Sequence, residues 1–81
     1  SKDSYIISGK VEIDQLNEKY NLNFPIGDYE TIAGFIIDNI GNIPKPNETV
    51  TIDNYVFLII RADNVRIDLV KLTLRYDEST E

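Results

Sequence analysis

The side chains that most often carry out chemistry in proteins are scarce in this sequence. Its 81 residues include no histidine and no cysteine, which excludes Ser–His and Cys–His nucleophiles, imidazole or thiolate metal sites and disulfide bonds. The remaining titratable groups are mainly carboxylates, and a carboxylate pair needs a walled cleft that raises one pKa before it can catalyse proton transfer. A chain this short has little room for such a cleft beside a core. We therefore expect no enzymatic activity and no catalytic residue.

Two carboxylate pairs are the candidates for a metal site. Asp14 and Glu18 are four residues apart, which places them on one face of a helix where they could share a divalent cation. Asp77 and Glu78 are adjacent and could bind Mg²⁺ or Ca²⁺ weakly. Neither pair belongs to an Asp-x-Asp-x-Asp-Gly calcium loop. The simpler interpretation of both pairs is a solvated surface.

Motifs for phosphate or nucleotide binding are absent. Gly9-Lys10 has Ser4 where a P-loop has its first glycine, and no Gly-x-Gly-x-x-Gly occurs. We therefore interpret Gly9 as a structural turn residue and expect no cofactor. The net charge of −6, from 14 acids and 8 bases, excludes a nucleic-acid footprint.

The basic side chains and the tyrosines each allow two interpretations. The bases of the C-terminal part could form a small anion-facing patch or could balance acids on a solvated sheet face; they are Arg61, Arg66, Lys71 and Arg75. The five tyrosines are typical of half-buried rim residues, and a tyrosine cluster at an interface is the alternative.

Hydrophobic periodicity predicts a β-α-α-β-β-β chain of the α+β class. Thr31 is a candidate N-cap for the second helix, and Gly41 a candidate left-handed residue at its end. The last three strands should form an antiparallel meander, with the first strand at an edge and both helices on one face. The predicted elements are a strand at 4–8, helices near 13–20 and 32–40, and strands at 49–52, 55–62 and 65–76.

Three local details follow from residue type. Asp53-Asn54 predicts a two-residue type I′ hairpin turn, in which both residues take positive φ. Gly34 inside the second helix predicts close approach of a neighbouring strand or helix. The strand at 55–62 is apolar at both parities, which predicts that it is covered on both faces.

The last strand has a parity conflict. Ile67 and Val70 are both apolar but are three residues apart, so a strict two-residue period cannot point both toward one core. We therefore predict a β-bulge or a strong local twist near Asp68-Leu69. Unbroken pairing through this segment would contradict the prediction.

The sequence favours one domain at 1–76 and a solvated acidic tail at 77–81. No apolar run approaches the roughly 20 residues that a membrane-spanning helix needs, so no direct membrane insertion is expected. The chain does not begin with Met, and we expect it to be a fragment or a processed segment.

Several motifs, in order, resemble one family, the CorC–HlyC transporter-associated domain. The resemblance spans residues 4 to about 74, and its three motifs are quite specific in combination. They are Thr31-Ile32-Ala33-Gly34, Gly41-Asn42-Ile43-Pro44 and Ile52-Asp53-Asn54-Tyr55-Val56-Phe57. The chain departs from the family at Asn47 and Asn54, where glycine is usual, and Asn is the next best residue for a left-handed conformation.

This resemblance implies a non-catalytic regulatory module of a larger parent. The parent would be anchored in the membrane, carry a pair of CBS domains and transport magnesium or cobalt, with the module on the cytoplasmic side. The implied partners are the CBS domains and membrane domain of the same chain, with a homodimer as a further possibility. The family's fold also resembles a subdomain of FAD-binding oxidases. The alternative function is a small-ligand sensor that binds a divalent cation or an adenine or flavin nucleotide.

Overall fold

The computed structural model describes residues 4–25, 27 and 29–75. They form a single antiparallel sheet in the strand order β1-β4-β3-β2, with two helices between β1 and β2 in the chain. The elements are β1 (Ser4–Ser8), α1 (Ile13–Tyr20), α2 (Ile32–Ile40), β2 (Thr49–Ile52), β3 (Tyr55–Ala62) and β4 (Ile67–Leu74). The predicted fold class, element order, meander and edge position of β1 are confirmed.

Two expectations concern the end of the chain. The last strand was expected to run to Tyr76, whereas β4 begins at Ile67 and ends at Leu74. Tyr76 and the acidic tail at 77–81 lie outside the described residues. The domain boundary at 76 therefore stays a prediction.

One hydrophobic core lies between the helices and one face of the sheet. Both helices contribute buried side chains to it, among them Leu16 from α1 and Phe35 from α2. The sheet contributes its inward row, in which Phe57 pairs with Leu72 and Ile59 with Val70. All four of these sheet side chains are fully buried. The two-layer arrangement therefore places the helices on one face of the sheet, as the sequence predicts.

Two irregularities in the pairing of β3 with β4, one on each strand, resolve the parity conflict in β4. Val70 pairs with Ile59 and Leu69 with Arg61, so one residue of β3, Ile60, is extra at this step. The next pair joins Ile67 to Ala62, so Asp68 is extra on β4. The bulge predicted at Asp68-Leu69 is confirmed, and it brings Ile67 and Val70 into the same core. The compensating irregularity at Ile60 was not predicted.

Gly9 is the point where β1, β4 and α2 come closest together. A β-carbon added at Gly9 would lie 2.1 Å from the carbonyl oxygen of Ile67 and 3.3 Å from the β-carbon of Ala33. The Gly9 N–H donates to the Asp68 carbonyl, and the Gly9 carbonyl accepts from the Ala33 N–H, both at 3.0 Å. Gly9 is thus structural, as expected, and the reason is close backbone contact.

The second helix has the termini that the sequence predicts. The Thr31 hydroxyl accepts a hydrogen bond from the Gly34 N–H at 3.1 Å, and Gly41 ends the helix with φ of 83°. Asn47 takes the positive φ expected of the residue that replaces the family's glycine, at 72°. Gly41 and Asn47 in the connection after α2 therefore take the positive φ that their residue types favour.

Three details differ from expectation. In the Asp53-Asn54 turn only Asp53 takes positive φ, so the turn departs from type I′. Gly34 has a loop residue as its close neighbour, and not a strand or a helix. A β-carbon added at Gly34 would lie 3.0 Å from the β-carbon of Tyr29 in the preceding loop. Strand β3 is covered on one face only within the described residues, because Ile60 on the other face remains 37% exposed.

Gly9→Ala tests the close contact between β1 and β4. We expect a loss of at least about 2 kcal/mol of unfolding free energy, because the new methyl group overlaps the Ile67 carbonyl and forces the backbones apart. Urea denaturation followed by circular dichroism measures this loss. Gly41→Asn is the matched control, since nothing lies within 4 Å of an added carbon there and Asn tolerates positive φ. Equal stability of the two variants would contradict the assignment.

Candidate functional site

The carboxylates proposed as metal ligands do not converge. Asp14 and Glu18 are both exposed on α1, but they border different depressions. Glu18 borders a groove between α1 and β1, whereas Asp14 lies near Glu12 and Glu30. Within the part of the chain that the structure describes, no group of three or more Asp or Glu is arranged to hold a metal ion. Asp77 and Glu78 lie outside the described residues.

The basic residues of the C-terminal hairpin are spread apart. Arg61, Arg66 and Arg75 are exposed, while Lys71 is half-buried in the middle of β4. The N–H groups of Val65 and Arg66 both donate to Oδ1 of Asp63, at 2.9 and 3.0 Å. These bonds lower the pKa of Asp63, and the charge of Arg66 adds to the effect. Asp63 therefore serves as a turn residue that stabilises the fold at neutral pH, and this stabilisation is lost as the pH falls through its lowered pKa.

The aromatic side chains belong to the core and its rim. Phe24 stacks on Tyr55 with 4.0 Å between ring centroids and meets Phe35 edge-on at 5.3 Å. Burial raises the pKa of Tyr55 above its ordinary value, and the nearby Asp53 carboxylate acts in the same direction. Tyr5 and Tyr20 pack together at 4.2 Å where β1 meets α1. The interpretation of tyrosines as half-buried rim residues is confirmed for these three.

Asn17 fixes the loop that follows α1. Its side chain accepts from the Phe24 N–H at 2.8 Å and donates to the Phe24 carbonyl at 3.1 Å. The backbone carbonyl of Asn17 accepts hydrogen bonds from the N–H groups of Asn21 and Leu22. Asn21 ends the helix with φ of 57°. Because both ends of the loop are tied to Asn17, Phe24 is held in the aromatic core next to α1.

A groove runs between α1 and the free edge of β1. Its volume is about 520 Å³, and its floor and walls combine apolar side chains of both elements. Leu16 and Tyr20 of α1 and the preceding Val11 supply one side, and Ile6 and Ile7 supply the strand side. Gln15, Glu18 and Lys19 also line the groove, so it combines apolar contacts with polar groups of α1.

The sheet face opposite the helices is open. Ser4 and Thr73 share this face, since their hydroxyl oxygens lie 3.0 Å apart, and the register assigns the other outward positions. We call this surface the open face; its residues are Ser4, Ile6, Ser8, Thr49, Thr51, Val56, Leu58, Ile60, Arg61, Leu69, Lys71 and Thr73. Aliphatic and hydroxyl side chains dominate it, and its charged residues are Arg61 and Lys71. In a chain of net charge −6, these positions include no acidic side chain.

The residues that sequence reasoning missed are the exposed apolar ones. Ile6 is 58% exposed and Ile60 is 37% exposed, and both belong to the open face. For Ile60 the signal in the sequence was apolarity at both parities of the third strand. That pattern was interpreted as coverage on both faces, whereas within the described residues it marks a face without a second layer.

The described elements define a two-layer α+β domain with an open sheet face and a groove beside β1. The model of the transporter associated domain family, CorC_HlyC, matches residues 1–75. The chain therefore belongs to this family, and the resemblance proposed from sequence motifs is confirmed. Within the described residues, no helix has the length and apolarity to span a bilayer.

Curated relatives are much longer than this chain. The magnesium and cobalt efflux protein CorC of Buchnera aphidicola subsp. Baizongia pistaciae is 34% identical over 74 residues, which are 91% of this chain and 26% of the relative. The polyamine export protein of Salmonella typhimurium is also 34% identical over 74 residues, which are 89% of this chain and 17% of the relative. The chain thus corresponds to about a quarter of the first protein and about a sixth of the second.

A solved structure of the same fold comes from Xylella fastidiosa. It is the transporter associated domain CorC_HlyC of a haemolysin, in complex with Mg²⁺ and Mn²⁺, and is 28% identical to this chain with a TM-score of 0.76. The match covers 94% of this chain and 92% of that one. The domain of that structure is therefore about the same size as the chain described here.

Asn17→Ala tests the lock between α1 and the loop that follows it. We expect a loss of about 1–3 kcal/mol, because two half-buried hydrogen bonds to the Phe24 peptide disappear and leave its N–H and C=O without partners. Thermal and urea denaturation measure the change. Gln15→Ala is the control, since Gln15 is exposed on the same helix and has the same carboxamide. A loss at residue 17 no larger than at residue 15 would contradict the lock.

Proposed function

We propose that this chain is a non-catalytic interaction module that regulates divalent-cation transport by its parent protein. The observation that carries the proposal is family membership, and among the described residues no group of three or more Asp or Glu is arranged to hold a metal ion. Relatives named for magnesium and cobalt efflux and for polyamine export share the domain. Since the domain accompanies different cargo, it is better suited to altering the parent's conformation than to selecting the ion.

The open face is the surface by which we propose that the module docks on the rest of its parent. Its aliphatic positions Leu58 and Leu69 flank Lys71, and the exposed Ile60 extends the apolar area. Burying aliphatic side chains supplies affinity, roughly 25 cal/mol for each Å². Lys71 and Arg61 favour a partner surface that carries carboxylates at the matching positions. CBS domains and a membrane domain in the same chain are the proposed partners, with the module on the cytoplasmic side.

Replacement of Ile60 in a full-length parent tests this docking. We expect Ile60→Asp to weaken regulation of magnesium or cobalt efflux as much as deletion of the whole module does, because a carboxylate cannot be buried there without a partner. Efflux from metal-loaded cells or vesicles is the measurement.

Val65→Asp is the matched control for this replacement. It introduces the same charge at a side chain that is 69% exposed in the turn between β3 and β4, away from the open face. Deletion of the module with no effect on efflux would overturn the proposed function. Equal effects of the two Asp variants would overturn the assignment of the open face alone.

A second candidate function is a small-ligand sensor for a divalent cation or an adenine or flavin nucleotide. The observation that favours it is the Xylella fastidiosa domain in complex with Mg²⁺ and Mn²⁺. On this chain the candidate carboxylates Asp14 and Glu18 border different depressions, so a cation bound at either one would have few protein ligands.

Calorimetry separates the two functions. As an interaction module, the chain should give no saturable heat with millimolar Mg²⁺, Co²⁺, Ca²⁺, ATP or FAD, because its described carboxylates do not converge. Saturable binding of a cation that Glu18→Gln abolishes would favour the sensor. Asp38→Asn is the control, since Asp38 is exposed on α2 and lies outside both depressions.

A second copy of this chain is a further proposed partner. The edge position of β1 favours this proposal, because an edge strand exposes backbone N–H and C=O groups that another strand can pair with. Ile6 belongs to both surfaces, whereas Ile60 of β3 belongs to the open face alone, so a replacement of Ile60 tests docking separately from self-association.

A further inference from the structure

Strand β1 lacks the features by which edge strands usually avoid pairing. Ser4–Ser8 contains no charge and no proline, and its pairing with β4 runs through all 5 residues without a register shift. Native edge strands are commonly protected by lysine, proline or a bulge. On the outward side of this strand, Ile6 leaves 58% of its side chain exposed. The edge is therefore regular, uncharged and partly apolar.

The backbone of Ile6 faces the free edge. Hydrogen-bonded and non-bonded positions alternate along an antiparallel pair of strands. The Gly9 N–H donates to the Asp68 carbonyl at 3.0 Å, so in the register of β1 and β4 the bonded positions are Gly9, Ile7 and Tyr5. The N–H and C=O of Ile6 consequently point away from β4, which is the one strand that pairs with β1 among the described residues.

We propose that β1 pairs with β1 of a second copy of this chain, antiparallel and centred on Ile6. The strand Ser4-Tyr5-Ile6-Ile7-Ser8 is self-complementary in this register. Serine meets serine at both ends, Tyr5 meets Ile7, and Ile6 meets its own counterpart. Hydroxyl pairs and aromatic pairs with β-branched residues are among those that stabilise antiparallel sheets. The two-fold axis through Ile6 closes the assembly at a dimer.

The groove beside the edge has room for the side chains that a second strand would bring. Tyr5 and Ile7 lie on the core side of β1, so the same residues of the second copy would point toward α1. There they would enter the groove of about 520 Å³, against Val11, Leu16 and Tyr20. On the opposite side, the two copies of Ile6 would cover each other. Both sides of the added strand thus find apolar contacts.

This interface gives a location to the self-association proposed above and does not depend on docking to the parent. The contact is small, which points to a weak dimer. Sedimentation of the 81-residue chain from about 10 µM to about 1 mM should therefore show a reversible monomer–dimer equilibrium. Because the experiment contains no other part of a parent, its failure would leave the docking proposal standing.

Ile6→Lys is the variant that tests the edge. It places two like charges opposite each other at the two-fold axis, and we expect the dissociation constant to rise about tenfold or more. Val65→Lys adds the same charge at another exposed aliphatic side chain, 69% exposed in the β3–β4 turn, and should leave association unchanged. Because both sites are exposed, both variants should fold, and thermal unfolding curves that match the unsubstituted chain are the control for this.

Ile6→Cys tests the register. The protein has no cysteine of its own, and facing residues of a hydrogen-bonded antiparallel pair have α-carbons about 5.5 Å apart, within disulfide range. Mild oxidation should therefore yield a covalent dimer from Ile6→Cys much faster than from Val65→Cys. Equal rates of cross-linking would overturn the proposed register.

Three further outcomes would overturn the proposal. The first is a chain that remains monomeric at about 1 mM. The second is an association that Ile60→Lys abolishes and Ile6→Lys leaves intact, which would assign it to packing of the open face. The third is a monomeric chain that binds an isolated Ser-Tyr-Ile-Ile-Ser peptide, which would assign the edge to a strand of another protein.

Discussion

The α-carbon of Gly9 lies so near the carbonyl of Ile67 that this position cannot carry a side chain. This contact joins the end of β1 to the bulged segment of β4. The carbonyl of Gly9 accepts a hydrogen bond from the N–H of Ala33 at the start of α2. The neighbouring Val11 carbonyl accepts from Ile32 at 3.0 Å, and Ile13, the first residue of α1, donates to the Glu30 carbonyl at 2.8 Å. Both helices thus begin on a backbone network anchored at Gly9, and their direction across the sheet follows from it.

The sequence predicted those features that depend on neighbouring residues or on the period of a strand. The conflict between Ile67 and Val70 located the bulge at Asp68, because two buried side chains three residues apart admit few other solutions. The compensating extra residue at Ile60 depends on how β3 is aligned with β4. The sequence of one strand does not specify its register with a partner strand, so this irregularity could not be predicted. The contact between Gly34 and Tyr29 is likewise set by a loop path that residue types do not encode.

The surfaces were harder to predict than the core, for a physical reason. Apolar residues at both parities of β3 indicate a strand that avoids water on both sides, but they do not say what covers the second side. In the described residues nothing covers it, since both helices contribute to one core on the other face. Asp14 and Glu18 show the reverse case. Their spacing correctly placed them on one helix, but the depressions that they border are completed by other segments, β1 for Glu18 and the loop before α2 for Asp14.

A regulatory role sets a thermodynamic requirement that this architecture can meet. A domain without reactive groups shifts a transporter between two conformations only by the difference in its binding free energy for each of them. A tenfold shift in population requires about 1.4 kcal/mol, which corresponds to the burial of only a few aliphatic groups. The open face and the β1 edge each expose isoleucine on a sheet whose own core is filled without it. Either surface can therefore change partners with conformation while the domain itself stays folded, which is the property that a switchable contact needs.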